Sequence, residues 1–164
     1  HVKNSSQLKL YHKDTYHMLP SFLYIASDHA GYSLKTSLVA HLERKGWKVE
    51  DLGTHSRESC DYPQYAHSLC EKVLETGHKG ILICGSGIGM SIAANRHKGI
   101  RAALCMHEFQ ARTARLHNNA NVLCLAERLT APALATMMAE IFLEEDFEGG
   151  RHEKRVALIE PDAK

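Results

Sequence analysis

The stretch "ILICGSGIGMS", residues 81–91, joins an aliphatic run to a glycine-rich turn, and it decides the fold prediction. The run is typical of a buried strand, and three glycines within five positions predict a tight turn that leads into a helix. Cys84 stands at the junction. Its thiol is therefore either inert filler at the end of a strand or the reactive atom of a site built on the turn.

Short apolar runs alternate with amphipathic stretches on both sides of this segment. The predicted strands are "FLYIAS", "WKVEDLG", "GILIC", "IRAALCM" and "NVLCLA", and apolar residues recur at helical spacing between them. Strands that alternate with helices predict parallel pairing through crossover connections. We therefore expect a three-layer α/β/α sandwich with a five-stranded parallel, Rossmann-like sheet, followed by a C-terminal helical arm in "GGRHEKRVALIE".

The length and composition favour a single globular domain. The chain has 164 residues, of which 44% are hydrophobic and 24% are charged. We assign residues 21–164 to one domain. Residues 1–20 are polar and weakly periodic, so they are predicted to form an N-terminal extension, disordered or in part a remnant of expression.

The charge pattern excludes several classes of partner. The formal net charge is +1, aromatic residues are few and no dense basic tract is present, which argues against a nucleic-acid surface. The sequence has no apolar run of membrane-spanning length and no hydrophobic core of a secretory signal. The expectation is a cytoplasmic protein that binds a small molecule and does not bind a membrane.

The cysteines favour reduced thiols. Their odd number and the absence of CxxC spacing argue against a disulfide framework or a zinc cluster, so no metal site is predicted. They are Cys60, Cys70, Cys84, Cys105 and Cys124. A thiol near a helix N-terminus forms a thiolate more readily than one inside a strand, and this favours Cys84 over Cys105 and Cys124 as a reactive group.

The glycine-rich turn after Cys84 suits an anion. Backbone N–H groups at a helix N-terminus favour a phosphate or an oxyanion. The spacing is G-x-G-x-G, which matches neither the dinucleotide fingerprint nor the Walker A motif. Tight packing alone is the competing explanation.

Other polar residues fall at the ends of the predicted elements. Asp28 and His29 follow the first strand, where Asp28 either orients a hydroxyl or caps a helix. His117 and Asn118 end a predicted helix, which is also a capping pattern. Basic side chains in the last third suit a phosphate, although a solvated basic surface is the commoner explanation; they are Arg128, Arg151, His152 and Arg155.

Six motifs in order carry a family resemblance. "SDHAG", "DYP", "CGSGIGMSIAANR", "GIRAA", "HNNANVL" and "GGRH..R" resemble, in sequence and spacing, the type B ribose-5-phosphate isomerases, a family shared with the isomerases that act on galactose 6-phosphate. The resemblance covers residues 23–159. Residues 1–20 have no counterpart in it, and Ser86 stands where many members have threonine.

The resemblance implies a cofactor-free aldose–ketose isomerase of the pentose phosphate pathway, which interconverts ribose 5-phosphate and ribulose 5-phosphate through an enediolate. It implies that Cys84 is the base that moves a proton between C2 and C1, with Ser86 assisting proton movement between the two oxygens. His117 would assist ring opening, while Asp28 and Asn118 would hold sugar oxygens. Some relatives use a glutamate six residues further on, but that position is Met90 here.

The resemblance also implies a substrate pocket shared between subunits. Turn amides would stabilise the oxyanion, Tyr62 would line the pocket, and histidines and arginines would bind the phosphate. The implied binding residues beyond those named above are His29, Tyr62, Gly85, Gly87, Ile88, Gly89, Arg128, Arg151, His152 and Arg155. Because the histidine and some arginines would come from a second subunit, a homodimer is expected, with a tetramer as the other option.

Two alternatives stay open at this stage. The first is the same chemistry on a six-carbon substrate, allose 6-phosphate or galactose 6-phosphate. The second is a non-catalytic, flavodoxin-like module that holds a small phosphate on the glycine turn. Such a module would not need the thiol of Cys84.

Overall fold

A five-stranded, all-parallel sheet runs through the centre of the computed structural model, which describes residues 21–164. The predicted extension over residues 1–20 lies outside the described part. The strands are β1 (Phe22–Ser27), β2 (Lys48–Asp51), β3 (Lys79–Cys84), β4 (Ala102–Leu104) and β5 (Val122–Ala126). Their order across the sheet is β2-β1-β3-β5-β4.

Six α-helices connect or follow the strands. They are α1 (Tyr32–Arg44), α2 (Tyr62–Thr76), α3 (Ile88–Ala94), α4 (Glu108–Leu116), α5 (Pro132–Glu144) and α6 (Arg151–Ala157). A 3-10 turn, His29–Gly31, precedes α1. None of these helices is both long and apolar enough to cross a bilayer.

The helices cover both faces of the sheet, which confirms the predicted sandwich. On one face, Leu38 of α1 and Phe142 of α5 pack against Ile25 and Ile83. On the other face, the helices α2 and α3 pack against Leu82 and neighbouring strand residues. Successive strand residues point to opposite faces of the sheet. Both faces are buried at β1, β3 and β5, so these central strands are almost entirely apolar, whereas the edge strand β2 is polar and partly exposed.

The fourth strand is shorter and less buried than predicted. The apolar run "IRAALCM" forms a strand only over Ala102–Leu104, and all three residues are half-buried. The strand lies at the edge of the sheet and pairs with β5 alone. An apolar run does not reveal whether a strand will be central or at an edge, because that depends on the order of pairing.

The strand order creates a crevice between β1 and β3. The chain runs from β1 to β2 on one side of β1 and then returns from β2 to β3 on the other side, so β1 and β3 flank a switch point. At their carboxyl ends the chain continues into Asp28 and Gly85. The most conspicuous sequence motifs therefore meet at one end of the sheet.

The C-terminal arm docks at the opposite end. Helix α4 starts at the carboxyl end of the sheet and runs back to the amino end, where β5 begins. The N–H of Glu148 donates to the carbonyl of Leu116 at 3.1 Å, which holds the start of the arm beside the end of α4. Beyond α6, the Glu160 carboxylate accepts the N–H of Gly99 at 2.7 Å, and Lys98 pairs with Asp162.

Candidate active site

A cleft of about 390 Å³ opens at the carboxyl ends of β1 and β3. It collects many of the sequence-predicted residues in one place. It is lined by Asp28, His29, Ala30, Tyr62, Cys84, Gly85, Ser86, Gly89, Arg128 and Leu129. These residues come from four separate segments of the chain, and we refer to this site as the cleft.

Cys84 sits at the bottom of the cleft, where it is 5% exposed. Its Sγ accepts the N–H of Gly87 at 3.1 Å. Gly87 adopts a φ of 73°, and a Cβ there would come within 2.4 Å of Leu104, so the turn that aims this amide requires glycine. An amide donor directed at sulfur stabilises a thiolate when one forms.

Three other thiols are buried in the sandwich away from any such turn. Burial raises the pKa of Cys70 to about 12 and that of Cys105 to about 11, and it raises the pKa of Cys124 well above the usual thiol value. A neighbouring Glu71 adds to the effect at Cys70. These thiols stay protonated at physiological pH, which agrees with the preference for Cys84 drawn from the sequence.

Two backbone N–H groups of the glycine turn already donate to acceptors within the same segment. The N–H of Ile88 donates to Oγ of Ser86 at 3.3 Å, and the N–H of Gly87 is directed at sulfur. The N–H of Gly89 lies in the first turn of α3, where helical amides have no intrahelical acceptor. Of the predicted oxyanion donors, Gly89 is therefore better placed than Gly87.

Tyr62 closes one side of the cleft over this turn. A Cβ built on Gly89 would lie 2.6 Å from the Tyr62 ring, so the phenol rests directly on the glycine backbone. Only a residue without a side chain allows this approach. Two predicted residues distant in sequence, Tyr62 and Gly89, thus form one wall.

Asp28 caps a short helix, one of the two roles that the sequence left open, and it also lines the cleft. One carboxylate oxygen accepts the N–H of Gly31 at 3.1 Å, which caps the 3-10 turn before α1. The same side chain lines the cleft and is 6% exposed. The cap fixes the carboxylate in position, because the backbone holds one oxygen and leaves the other to the cleft.

His29 is held in one tautomer by a residue that the sequence did not single out. The N–H of Cys60 donates to Nδ1 of His29 at 3.2 Å, so the proton of the neutral ring lies on Nε2. His29 therefore presents an N–H donor to the cleft without having to be charged. Cys60 belongs to the loop before α2, and no spacing rule connects residues 29 and 60.

Arg128 supplies a guanidinium at the rim of the cleft. It follows β5, and a Cβ on Gly85 would lie 3.2 Å from its Cζ atom. The N–H of Arg128 donates to the carbonyl of Gly85 at 3.1 Å, so the backbone of the two loops is tied together. A permanent positive charge thereby lies beside the turn that follows Cys84.

The remaining predicted residues gather at the amino end of the sheet. His117 caps the end of α4, and its ring stacks on His152 with the ring centroids 4.3 Å apart. Glu148 lies beside both rings, and sequence reasoning missed it because two glycines separate it from α6. We call this group the far-end cluster; it comprises His117, Asn118, Glu148, Arg151, His152 and Arg155.

Asn118 borders a second depression, of about 240 Å³, together with Arg101 and Ile159. Arg151 and Arg155 are exposed on α6. Because α4 runs from one end of the sheet to the other, a single chain does not bring His117 and Cys84 into one site. The structure therefore divides the predicted residues into two groups.

The comparisons with known proteins agree on one family. A model of the family described as Ribose/Galactose Isomerase matches residues 23–159. The chain is similar to ribose-5-phosphate isomerase B of Escherichia coli, with 45% identity over 135 residues, which is 80% of this chain and 89% of that protein.

Solved structures give the same result. The crystal structure of a ribose 5-phosphate isomerase from Thermotoga maritima matches with a TM-score of 0.84 and 50% identity, over 86% of this chain and 98% of that one. Ribose-5-phosphate isomerase B from Mycoplasma genitalium, solved with bound ribulose-5-phosphate, matches with a TM-score of 0.82 and 43% identity, over 86% of this chain and 95% of that one.

Proposed function

The chain belongs to the ribose/galactose isomerase family, and on that premise we propose how its residues act. It is an isomerase that interconverts ribose 5-phosphate and ribulose 5-phosphate. The observation that carries the residue assignments is the cleft, where the thiol of Cys84 meets an amide-lined turn, a fixed carboxylate and an arginine. We also propose that it works in the cytoplasm, in the pentose phosphate pathway.

Proton transfer is assigned to Cys84. As a thiolate it removes the proton from C2 of the open-chain aldose and returns it to C1, which leaves the ketose. The Gly87 amide stabilises the sulfur while it is negative, and the Gly89 amide stabilises the oxyanion of the enediolate. Ser86 assists proton movement between the two oxygens.

Substrate orientation is assigned to groups whose geometry is already set. Asp28 holds a sugar hydroxyl with the oxygen that the Gly31 N–H leaves free. His29 donates from Nε2, and Arg128 contributes its charge, so both serve an anionic or electron-rich part of the sugar phosphate. Tyr62 excludes water on one side.

The far-end cluster completes the site of a second copy of the chain. His117 assists ring opening, Asn118 holds a sugar oxygen, and Arg151, His152 and Arg155 bind the phosphate. These roles require a partner, because His117 and Cys84 lie at opposite ends of the sheet within one chain. We therefore propose a homodimer whose two active sites are each built from both subunits.

Exposed apolar side chains beside the cleft support this dimer. Ile88 and Ile92 are each 53% exposed and lie one turn apart on the same face of α3. Leu129, at the rim of the cleft, is 65% exposed. A partner that covers these side chains would also reach the mouth of the cleft, where its far-end cluster is needed.

The substrate assignment is tested by comparing sugar phosphates of two lengths. We expect ribose 5-phosphate to have a higher kcat/KM than allose 6-phosphate or galactose 6-phosphate. Each aldose would be followed by formation of its ketose at matched concentrations. A clear preference for a six-carbon substrate would contradict the assignment, and absence of turnover on all three would favour a binding module.

A further inference from the structure

Two imidazoles and a carboxylate converge within the far-end cluster. Oε2 of Glu148 lies 3.9 Å from Nε2 of His117 and 4.0 Å from Nε2 of His152. One ligand atom from each of the three residues lies within 4.8 Å of the others. Two histidines and one carboxylate are a set of ligands that proteins use for zinc.

His152 provides a second, independent observation. Its side chain is 7% exposed, and its buried Nε2 has no hydrogen-bond partner within residues 21–164. A buried polar nitrogen without a partner destabilises a protein, and native structures rarely contain one unless a ligand or water satisfies it. The unpaired nitrogen points to a ligand at the place where the other two groups converge.

The charges beside the cluster set its affinity for a cation. The guanidinium of Arg151, which precedes His152 in the chain, opposes a bound cation. The carboxylate of Glu148 offsets that charge, so we expect moderate rather than very tight affinity.

The movement needed to close the site is small. Zinc bonds of about 2.0–2.2 Å at tetrahedral angles place neighbouring ligand atoms about 3.3–3.5 Å apart. The side chains of His117 and Glu148 are 41% and 56% exposed, so they are free to approach the anchored His152. The stacked His117 ring must also rotate, because two parallel rings do not aim at one ion.

We propose that His117, Glu148 and His152 bind a divalent transition-metal ion of the zinc class, with solvent as the fourth ligand. The same two histidines are assigned to the substrate above, so the ion and the sugar phosphate exclude each other. The binding itself does not depend on the proposed function, whereas this exclusion rests on it. Zinc would then act as a reversible inhibitor.

The binding is tested by titrating the full chain, treated with a chelator, with Zn²⁺ alone in phosphate-free buffer. Calorimetry should show a site whose affinity falls at least tenfold in Glu148→Gln, because an amide oxygen is a poorer ligand than a carboxylate. Glu148 is exposed, so this variant should fold normally. Equal affinity in the two proteins would overturn the proposal.

The matched control for zinc binding changes one member of a different histidine pair. His67 and His97 lie 2.7 Å apart through ring nitrogens on the surface and have no third ligand in the described residues. His67→Gln should keep the zinc affinity that Glu148→Gln loses. A comparable loss in His67→Gln would show that the measured ion binds elsewhere and would overturn the assignment.

Turnover gives the second readout. Zn²⁺ should raise the KM for ribose 5-phosphate in the wild-type protein and have at least a tenfold weaker effect in Glu148→Gln. Equal inhibition of both proteins would overturn the exclusion. The two readouts test separate claims. A chain without isomerase activity would contradict the proposed function. The calorimetric titration, which uses no substrate, would still test whether the metal site exists.

Discussion

The cleft and the far-end cluster differ in how their polar groups are held. In the cleft, the backbone orients Asp28, His29 and Cys84, each of which is hydrogen-bonded to an N–H of another residue. In the far-end cluster, His117 is 41% exposed and Glu148 is 56% exposed, and Oε2 of Glu148 lies 3.9 and 4.0 Å from Nε2 of His117 and of His152, too far for a hydrogen bond. Backbone hydrogen bonds thus orient the polar groups of the cleft, whereas the side chains of His117 and Glu148 lack such bonds to each other and are partly exposed.

This difference matches the proposed division of the chemistry between the two regions. Moving a proton on carbon needs a base placed to within a fraction of an ångström, which backbone hydrogen bonds to a packed turn achieve. Ring opening and phosphate binding tolerate longer, more adaptable side chains. Changes in the cleft should therefore reduce the chemical step, and changes in the far-end cluster should affect steps around it.

The largest effect is expected for Cys84→Ser. A hydroxyl has too high a pKa to act as the base, so kcat should fall by about 10⁴-fold, near the upper limit for loss of a general base. Exchange of the C2 proton of ribose 5-phosphate with D₂O, followed by NMR, should disappear while circular dichroism stays unchanged.

A matched control is Cys124→Ala, which removes a buried thiol from the neighbouring strand β5. This variant should keep its proton exchange. Undiminished exchange in Cys84→Ser would assign the base elsewhere, and it would remove the contrast between the two regions.

His117→Ala should have a smaller and more selective effect. Net conversion of ribose 5-phosphate should fall by about 10²-fold, since an acid–base group for ring opening is lost. The C1 proton of ribulose 5-phosphate should still exchange with D₂O, because the ketose is already open. Equal loss of conversion and exchange would place His117 in the proton-transfer step instead.

Arg155→Ala should have the smallest effect of the three and should act on binding. Loss of one charge-assisted hydrogen bond costs about 1.5 kcal/mol or more, so KM should rise roughly tenfold with little change in kcat. Lys154→Ala, on the same helix, is the matched control and should leave KM unchanged. A normal KM in Arg155→Ala would exclude that arginine from the phosphate site.

Periodicity predicted the layers of this fold well because both faces of the sheet are buried. The central strands are continuous apolar runs, and apolar residues recur at helical spacing in α1 and α2, so the local sequence indicates the type of each element. The shortness of β4 and its edge position were not predictable, since they depend on which strands pair.

From residue types and spacing alone, the site was predictable only where its parts directly follow strands; Tyr62 was predicted through the family resemblance. The turn after Cys84 and the pair Asp28–His29 follow strands directly, and the rule for parallel sheets places them together. The contact of Cys60 with His29 and the position of Glu148 beside His117 arise from loops that no spacing rule describes. The division into two regions was expected only from the family resemblance, because no local pattern shows that His117 and Cys84 lie at opposite ends of the sheet.

The most direct test of a shared active site mixes two inactive variants. Cys84→Ser and His117→Ala subunits would be co-expressed with different tags, and dimers carrying one of each would be purified or formed at equal ratio. If each site combines Cys84 of one subunit with His117 of the other, random mixing restores about a quarter of the wild-type activity, since half of the dimers have one intact site. Activity no greater than that of the separate variants would contradict the account.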